Sequence, residues 1–250
     1  LGYVSYPDFQ DFARGTHTLT GVVAQSQILA TFEGRAGEPA EMHMGLAVTT
    51  NYFDTLGVAA KLGRIFQNDE ARRPVVVLAD SFWRRRYAAD RGMVGATVQL
   101  GGTPFTIIGV APAGFGLDRF LHEDFYVPIE VYAAGLLPST GRPLEERGRR
   151  YLSVYGRRRE SIGAVQAELS ALAVHLEAGY PATNRRQKAD HALSMDTIIA
   201  DLACNGGKRF FSENSDNLFR PQRLIYQSTF RIPVQKSRNY EVAISFWLFH

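Results

Sequence analysis

Cysteine is almost missing from this sequence: Cys204 is alone among 250 residues. One thiol excludes an internal disulfide framework and any cysteine-rich zinc site. It leaves the compartment open, because a domain working outside the reducing cytoplasm can simply do without cysteine. Long apolar runs are missing too. Mean hydropathy is −0.16, and no window approaches the ~18 consecutive apolar residues that would cross a bilayer. YEVAISFWLFH, at 240–250, is apolar but far too short. Nor is there a strong excess of one charge: 28 Lys and Arg face 25 Asp and Glu, a net +3. That balance is compatible with a nucleic acid or an anionic surface and demands neither. The chain opens on Leu1 with no charged segment ahead of an apolar one, so we expect a piece of a longer chain, without a secretory leader of its own.

Signatures of catalysis are also lacking. No G-x-x-x-x-G-K-[ST] is present; Gly206-Gly207-Lys208 has neither the upstream glycine nor the following Ser or Thr. G-x-S-x-G, H-E-x-x-H and C-x-x-C are absent as well. Nothing in the pattern therefore points to an ATPase, a serine hydrolase or a zinc enzyme.

What is there is a patterned globular sequence. Hydrophobic content is 45%, enough for one large domain or two small ones. Ser5-Tyr6-Pro7-Asp8 reads as a helix start ending at Gly15, with a capping hydroxyl, an early proline and an acid at the positive end. Residues 21–32 and 40–49 read as a hairpin. Asn51 is placed to cap a short helix, Tyr52 to Leu56, stopped by Gly57. Pro74 to Ala79 reads as a strand buried on both faces, and Asp80 or Ser81 as the cap of the helix after it. Val98 to Leu100 and Phe105 to Val110 flank a turn at Gly101 to Pro104. Phe125 to Ile129 reads as a strand whose proline suggests a sheet edge. After a strand at 151–156, Ser161 starts the clearest helix, with Val165, Leu169, Leu172 and Leu176 in one stripe.

One stretch, NYFDTLGVAAKLGRIF at 51–66, is strongly patterned yet holds no nucleophile, metal ligand or phosphate loop. Aromatic and apolar residues alternate with Gly57 and Gly63, which is the composition of a joint.

Several polar features invite a chemical reading. Met42-His43-Met44 offers soft thioethers for copper, but on a strand the methionines point one way and the histidine the other, so two core methionines fit better. Asp69-Glu70 and Glu123-Asp124 sit side by side rather than across a cleft, and read as solvated turns. His175 reads as a boundary histidine on the long helix. Arg84-Arg85-Arg86, Arg147/Arg149/Arg150 and Arg157-Arg158-Arg159, interleaved with Tyr87, Tyr151 and Tyr155, are the one feature favouring a nucleic-acid or anion-binding module. Solvated or interlobe arginines are the preferred reading. No catalytic, cofactor-binding or metal-binding residue is assigned.

VSYPDFQDFARGTHTLTGVVA, NYFDTLGVAAKLGRIFQNDE, PVVVLADSFWRRRYAADRGMVGATVQLGGTPFTIIGVAPAGFG and RRYLSVYGRRRESIGAVQAELSALAVHLEAGYPATN occur in this order. Together they resemble the MacB-like periplasmic core domain of ABC-transporter permeases, closest to the large FtsX-type permeases, over roughly residues 1–185. The resemblance implies an α+β, two-lobed, non-catalytic domain on the extracytoplasmic side of the inner membrane. It also implies a discontinuous porter-like βαβ lobe with an inserted mainly-β lobe. On that basis 1–196 is the core domain, with one lobe at about 1–60 plus 149–196 and the inserted lobe at about 61–148. Residues 197–250 are an atypical tail. The implied partners are transmembrane helices of the same permease, a separate ATPase subunit and a periplasmic partner. No nucleic acid and no cofactor are expected.

Overall fold

In the computed structural model, residues 3–34, 39–115, 123–135 and 142–184 are described. The tail at 197–250 lies outside the described residues, as does the middle of the 34–39 turn. Ser5 closes a two-residue strand, β1 (Val4–Ser5), and its hydroxyl accepts the Asp8 N–H at 3.2 Å. This cap starts α1 (Tyr6–Gly15), whose Tyr6, Phe9 and Phe12 are buried.

β2 (Leu19–Glu33) is long, and it serves two neighbours. Its first half pairs antiparallel with β9 (Arg150–Arg158), from Leu19↔Arg158 to Gln25↔Ser153. Its second half pairs with β3 (Glu41–Val48), from Gln25↔Val48 to Phe32↔Glu41. After α2 (Tyr52–Leu56) come β4 (Leu62–Gly63), β5 (Val75–Leu78), α3 (Asp80–Tyr87), β6 (Thr97–Leu100) and β7 (Thr103–Val110). β8 (Phe125–Pro128) and α4 (Ile129–Gly135) follow, then β9, α5 (Ile162–Gly179) and α6 (Pro181–Asn184). The sheet order is β1-β9-β2-β3-β8-β5-β7-β4, with β6 joining β7 back to β2. The pairings β2-β3-β8-β5-β7-β6-β2 therefore close on themselves, so the strands inside that ring have no free edge to blunt. The β3–β8 and β5–β7 pairs are parallel. The architecture is mixed α and β, as read from the sequence.

Three local expectations change. β8 is not an edge strand: it lies between β3 and β5. Pro128 is its last residue, opposite Val48, so the missing N–H falls where the chain leaves the ladder for α4. Asn51 makes no capping bond; its Nδ2 donates to the Val22 carbonyl at 3.0 Å and so ties α2 to β2. Asp80 does not cap α3 either. Ala79 holds the cap position without a side-chain bond, and Asp80 is the first helical residue.

The long helix buries the stripe expected of it. Val165, Leu169 and Leu176 are buried, and Leu172 packs against the same core. The contact with α1 is close: a Cβ on Gly15 would lie 2.7 Å from Leu172 Cδ2. Leu169→Ala, at a site 2% exposed, is expected to cost about 2–4 kcal/mol of stability. Urea unfolding measures it, and a loss near zero would mean that α5 packs loosely.

Glu168 fastens the same helix to the start of β2. It accepts from the Thr16 hydroxyl at 2.7 Å, from His17 N–H at 2.8 Å, from Thr18 N–H at 3.0 Å, and from the Thr18 hydroxyl. Burial pushes this carboxyl up, but the bonds from Thr18, Thr16 and His17 together outweigh it and hold it down to about 2. The folded value lies below the ordinary 4.5, so the stabilisation is complete above about pH 4.5, falls away between there and about pH 2, and is gone below. Its size, after solvent screening, is about 1–2 kcal/mol. Wild type and Glu168→Gln should therefore differ in unfolding free energy near neutral pH and converge near about pH 2. A difference that does not change with pH would refute the linkage.

Candidate functional site

The patterned stretch 51–66, read above as a joint, is packed at both ends. Tyr52 and Phe53 of α2 are fully buried. The Tyr52 hydroxyl donates to Gln25 Oε1 at 2.7 Å, and Gln25 Nε2 donates to the Tyr155 hydroxyl at 3.4 Å, which links α2, β2 and β9. The Phe53 ring meets Phe66 at 5.6 Å, Phe115 at 5.3 Å and Tyr126 at 5.3 Å. Both ends of the joint are thereby anchored in one aromatic cluster. Burial pushes the Tyr52 and Tyr126 phenols well above their usual range, so they stay neutral and serve packing rather than proton transfer.

Between those anchors the backbone turns twice. Gly57 ends α2 in the left-handed region, φ 71°, which suits a residue without Cβ. Gly63 has φ 68°, and a Cβ on it would lie 2.4 Å from the Ile108 carbonyl oxygen. The close approach lets Lys61 N–H donate to Val110 O at 2.8 Å and Arg64 N–H to Ile108 O at 3.0 Å.

Two ion pairs flank the contact. Arg64 grips Glu70 with both prongs at 2.7 Å, and Glu70 also accepts the Gln67 N–H at 2.9 Å. The Arg64 bond holds the nearly inaccessible Glu70 carboxyl below its usual range, against the pull of burial. Asp80 accepts from Lys61 and from Arg84 Nε at 2.9 Å. Burial raises Asp80, but Lys61 and Arg84 together outweigh it and lower its pKa.

A second cluster brings together residues far apart in sequence. Arg147 donates to Asp8 Oδ1 and to Asp11 Oδ2, each at 2.6 Å, and its guanidinium lies 3.6 Å from the centre of the Tyr180 ring. Asn184 Nδ2 donates to Asp8 Oδ1 at 3.1 Å, and Arg150 donates to the Thr183 carbonyl. Residues 5–11, 147–150 and 180–184 thus form one clamp, with Asp8 wholly buried inside it.

The model of the MacB-like periplasmic core domain matches residues 2–172. The chain belongs to that family. The fold agrees with three solved structures. The periplasmic region of MacB from Actinobacillus actinomycetemcomitans has TM-score 0.55 and 19% identity, over 74% of this chain and 78% of that one. The extracellular domain of the noncanonical ABC-type transporter YknZ from Gram-positive bacteria has TM-score 0.55 and 16% identity, over 73% and 87%. A domain of a putative permease from Porphyromonas gingivalis has TM-score 0.54 and 16% identity, over 73% and 76%. No curated protein matches the sequence.

Within this MacB-like domain the polar features sort differently from the sequence reading. Met42 is 56% exposed and Met44 is partly exposed, so they are not core methionines. The alternation holds with its faces reversed: His43 turns inward, 4.8 Å from the Phe82 ring, with Nδ1 2.8 Å from Asp124 Oδ2. The acid pairs are not solvated turns. Glu70 and Glu123 are buried, and Asp124 takes Arg85 at 2.7 Å as well as His43. Glu70 is buried against Arg64, while Asp69 stays exposed beside Arg73. His175 is exposed beside a groove of about 530 Å³ between α1 and α5, which Arg14, Leu172 and Tyr180 also line. No group of three or more His, Cys, Asp or Glu residues gathers as a metal site among the described residues. No described helix is long and apolar enough to cross a membrane.

The arginine stretches are largely engaged. Arg84 meets Asp80, Arg85 meets Asp124 and Arg86 meets Glu41. Sequence reasoning singled out the 51–66 stretch but missed the clamp. Arg147 and Asp8 are 139 positions apart, and nothing local marks either as the other's partner.

Proposed function

We propose that this chain is the extracytoplasmic domain of an ABC-type permease. In this reading it is non-catalytic and relays motion of membrane helices to substrate export or to the docking of a periplasmic partner. A separate ATPase subunit drives that motion from the other side of the membrane. The observation that carries the reading is the clamp: buried Asp8, near the start of the described chain, is held by Asn184 at its end and by Arg147 from within it. A pull on either flank then enters the domain at one point, and the joint at 51–66 passes it on to β7.

In the same reading, residues 1–60 with 149–196 move as one lobe, 61–148 as the inserted one, and 197–250 form a tail apart from both. The β2–β9 ladder and the α1–α5 contact favour the first grouping. The β3–β8 and β2–β6 pairs would together be the seam between the lobes. Family membership supports the extracytoplasmic placement, and the engaged arginines weigh against a nucleic-acid module.

Cysteine labelling of the intact membrane protein tests this, in a Cys204→Ser background. Ala59 and Ala171 are exposed positions on the joint and on α5. Ala59→Cys and Ala171→Cys should both react in whole cells with a maleimide that cannot cross the inner membrane. Reaction only after lysis would overturn the placement. Trapping the ATPase in its nucleotide-bound state should change the labelling rate at Ala59→Cys; an unchanged rate would sink the relay.

A further inference from the structure

Arginines 64, 84, 85, 86 and 147 each meet a carboxylate. Arg157 does not. It is the penultimate residue of β9 and half-buried. Its Nε and Nη2 are sealed from solvent with no hydrogen-bond partner among the described residues. Only its backbone carbonyl accepts a side chain, the Thr20 hydroxyl at 3.3 Å. A guanidinium edge left in that state is destabilising, and nothing in the described chain offsets it.

The surroundings are built around that edge. Nη2 lies 3.2 Å from where a Cβ on Gly57 would stand, so the joint presents bare backbone to it. Gly21, the cross-strand partner of Arg157, also lacks a side chain, and Thr55 Oγ1 lies 2.9 Å from where a Cβ on Gly21 would stand. The ladder shifts register between Leu19 and Gly21, beside Arg157; such bulges re-aim groups near functional sites. Arg158 and Arg159 follow in sequence. Glu160, just after β9, and Asp54, on α2 ahead of Gly57, are exposed acids, and neither forms an ion pair with Arg157 among the described residues.

We propose that Arg157 is the centre of an oxyanion site. One carboxylate or phosphate is taken against its Nε/Nη2 edge, with the Thr55 hydroxyl beside it. The planar fork of a guanidinium matches two oxygens of either group, which a lysine ammonium does not. Entry requires the Gly57 turn to yield, so an occupied site fastens β9 to the joint. The site is independent of the transport reading: it rests on Arg157 and its neighbours alone.

The test is an NMR titration of the whole 250-residue chain, following the Arg157 Nε–Hε resonance and the Gly57 amide. Sodium phosphate and sodium acetate are added separately, with sodium chloride holding ionic strength constant. A saturable shift of both resonances is expected with at least one anion. The anion that saturates first identifies whether the natural ligand is a phosphate or a carboxylate. Arg157→Gln should abolish the saturable response, and Arg157→Lys should weaken it ~10-fold. If the glutamine variant does not fold, the lysine variant and the wild-type resonance still decide. No saturable shift with either anion, or an equal response in Arg157→Lys, would overturn the site. So would an Arg157→Gln variant whose melting temperature drops by the same amount with and without anion, the mark of an arginine that only braces the end of α2.

Discussion

Replacing Arg147 with alanine is expected to destabilise the domain by about 3–5 kcal/mol, the range for breaking a buried ion pair from one side. Asp8 is 0% exposed and receives Arg147 Nη1 at 2.6 Å. Without the arginine, Asp8 keeps the Asn184 amide at 3.1 Å but loses the cation that makes its burial tolerable. Asp11 is left with only the longer contact to Arg14 at 3.5 Å, and Tyr180 loses the guanidinium stacked on its ring. Much of the cost is the stranded charge rather than the worth of the pair. Asp8→Asn placed on top of Arg147→Ala should therefore recover part of the loss, although it removes one more acceptor. Urea unfolding of the two single variants and the double variant measures this. A loss below about 1 kcal/mol for Arg147→Ala would put the pair in the class of surface bridges and remove the clamp from the argument.

The sequence made the secondary structure legible wherever one physical cause dominated. Ser5 and Ser161 cap their helices as read, because each is a short hydroxyl ahead of an apolar stripe. The β2–β3 hairpin and the buried β5 follow from apolar runs bounded by turn residues. The misreadings share a cause of another kind. Pro128, Asn51 and Asp80 were judged from local preference, and each was claimed by something distant: the end of a parallel ladder, the Val22 carbonyl, and Lys61. Tertiary partners override local propensity when the competing bond is buried, and no window of neighbouring residues records them.

The site divides in the same way. The packing of 51–66 was legible because its aromatic residues and its two glycines lie within sixteen consecutive positions. The role of Glu70 and the burial of Glu123 were not. Adjacent acids look solvated in a sequence, and only the fold reveals that Arg64 reaches Glu70 with two prongs. Closure of the strand ring by β6 was equally hidden, since it rests on two register pairs at the far end of β2, Phe32↔Leu100 and Glu33↔Gln99.

Gly109→Val, in the strand on which the joint rests, should be among the most damaging substitutions, with a cost of about 3–5 kcal/mol from overpacking and lost ladder bonds. A Cβ at Gly109 would lie 2.2 Å from the Arg64 carbonyl oxygen, 2.8 Å from the Leu62 oxygen and 2.9 Å from the Arg64 nitrogen. All three are backbone atoms, so no side-chain rotation relieves the clash. The cross-strand partner is Gly63, which is held as tightly against Ile108. β4 would have to lift off β7, breaking the bonds from Lys61 N–H to Val110 and from Arg64 N–H to Ile108. Lys61 and Arg64 would then be drawn away from Asp80 and Glu70, so the two flanking ion pairs loosen together. Gly148, with nothing within 4 Å of its would-be Cβ, is the control: Gly148→Ala should change stability by under about 0.5 kcal/mol. Hydrogen exchange separates the joint from general damage. In Gly109→Val the Lys61 and Arg64 amides should exchange far faster than those of the β2–β9 ladder. Uniform acceleration across both regions would mean that the variant weakens the whole domain, and that the glycine pair is packing like any other rather than the point where the joint is held.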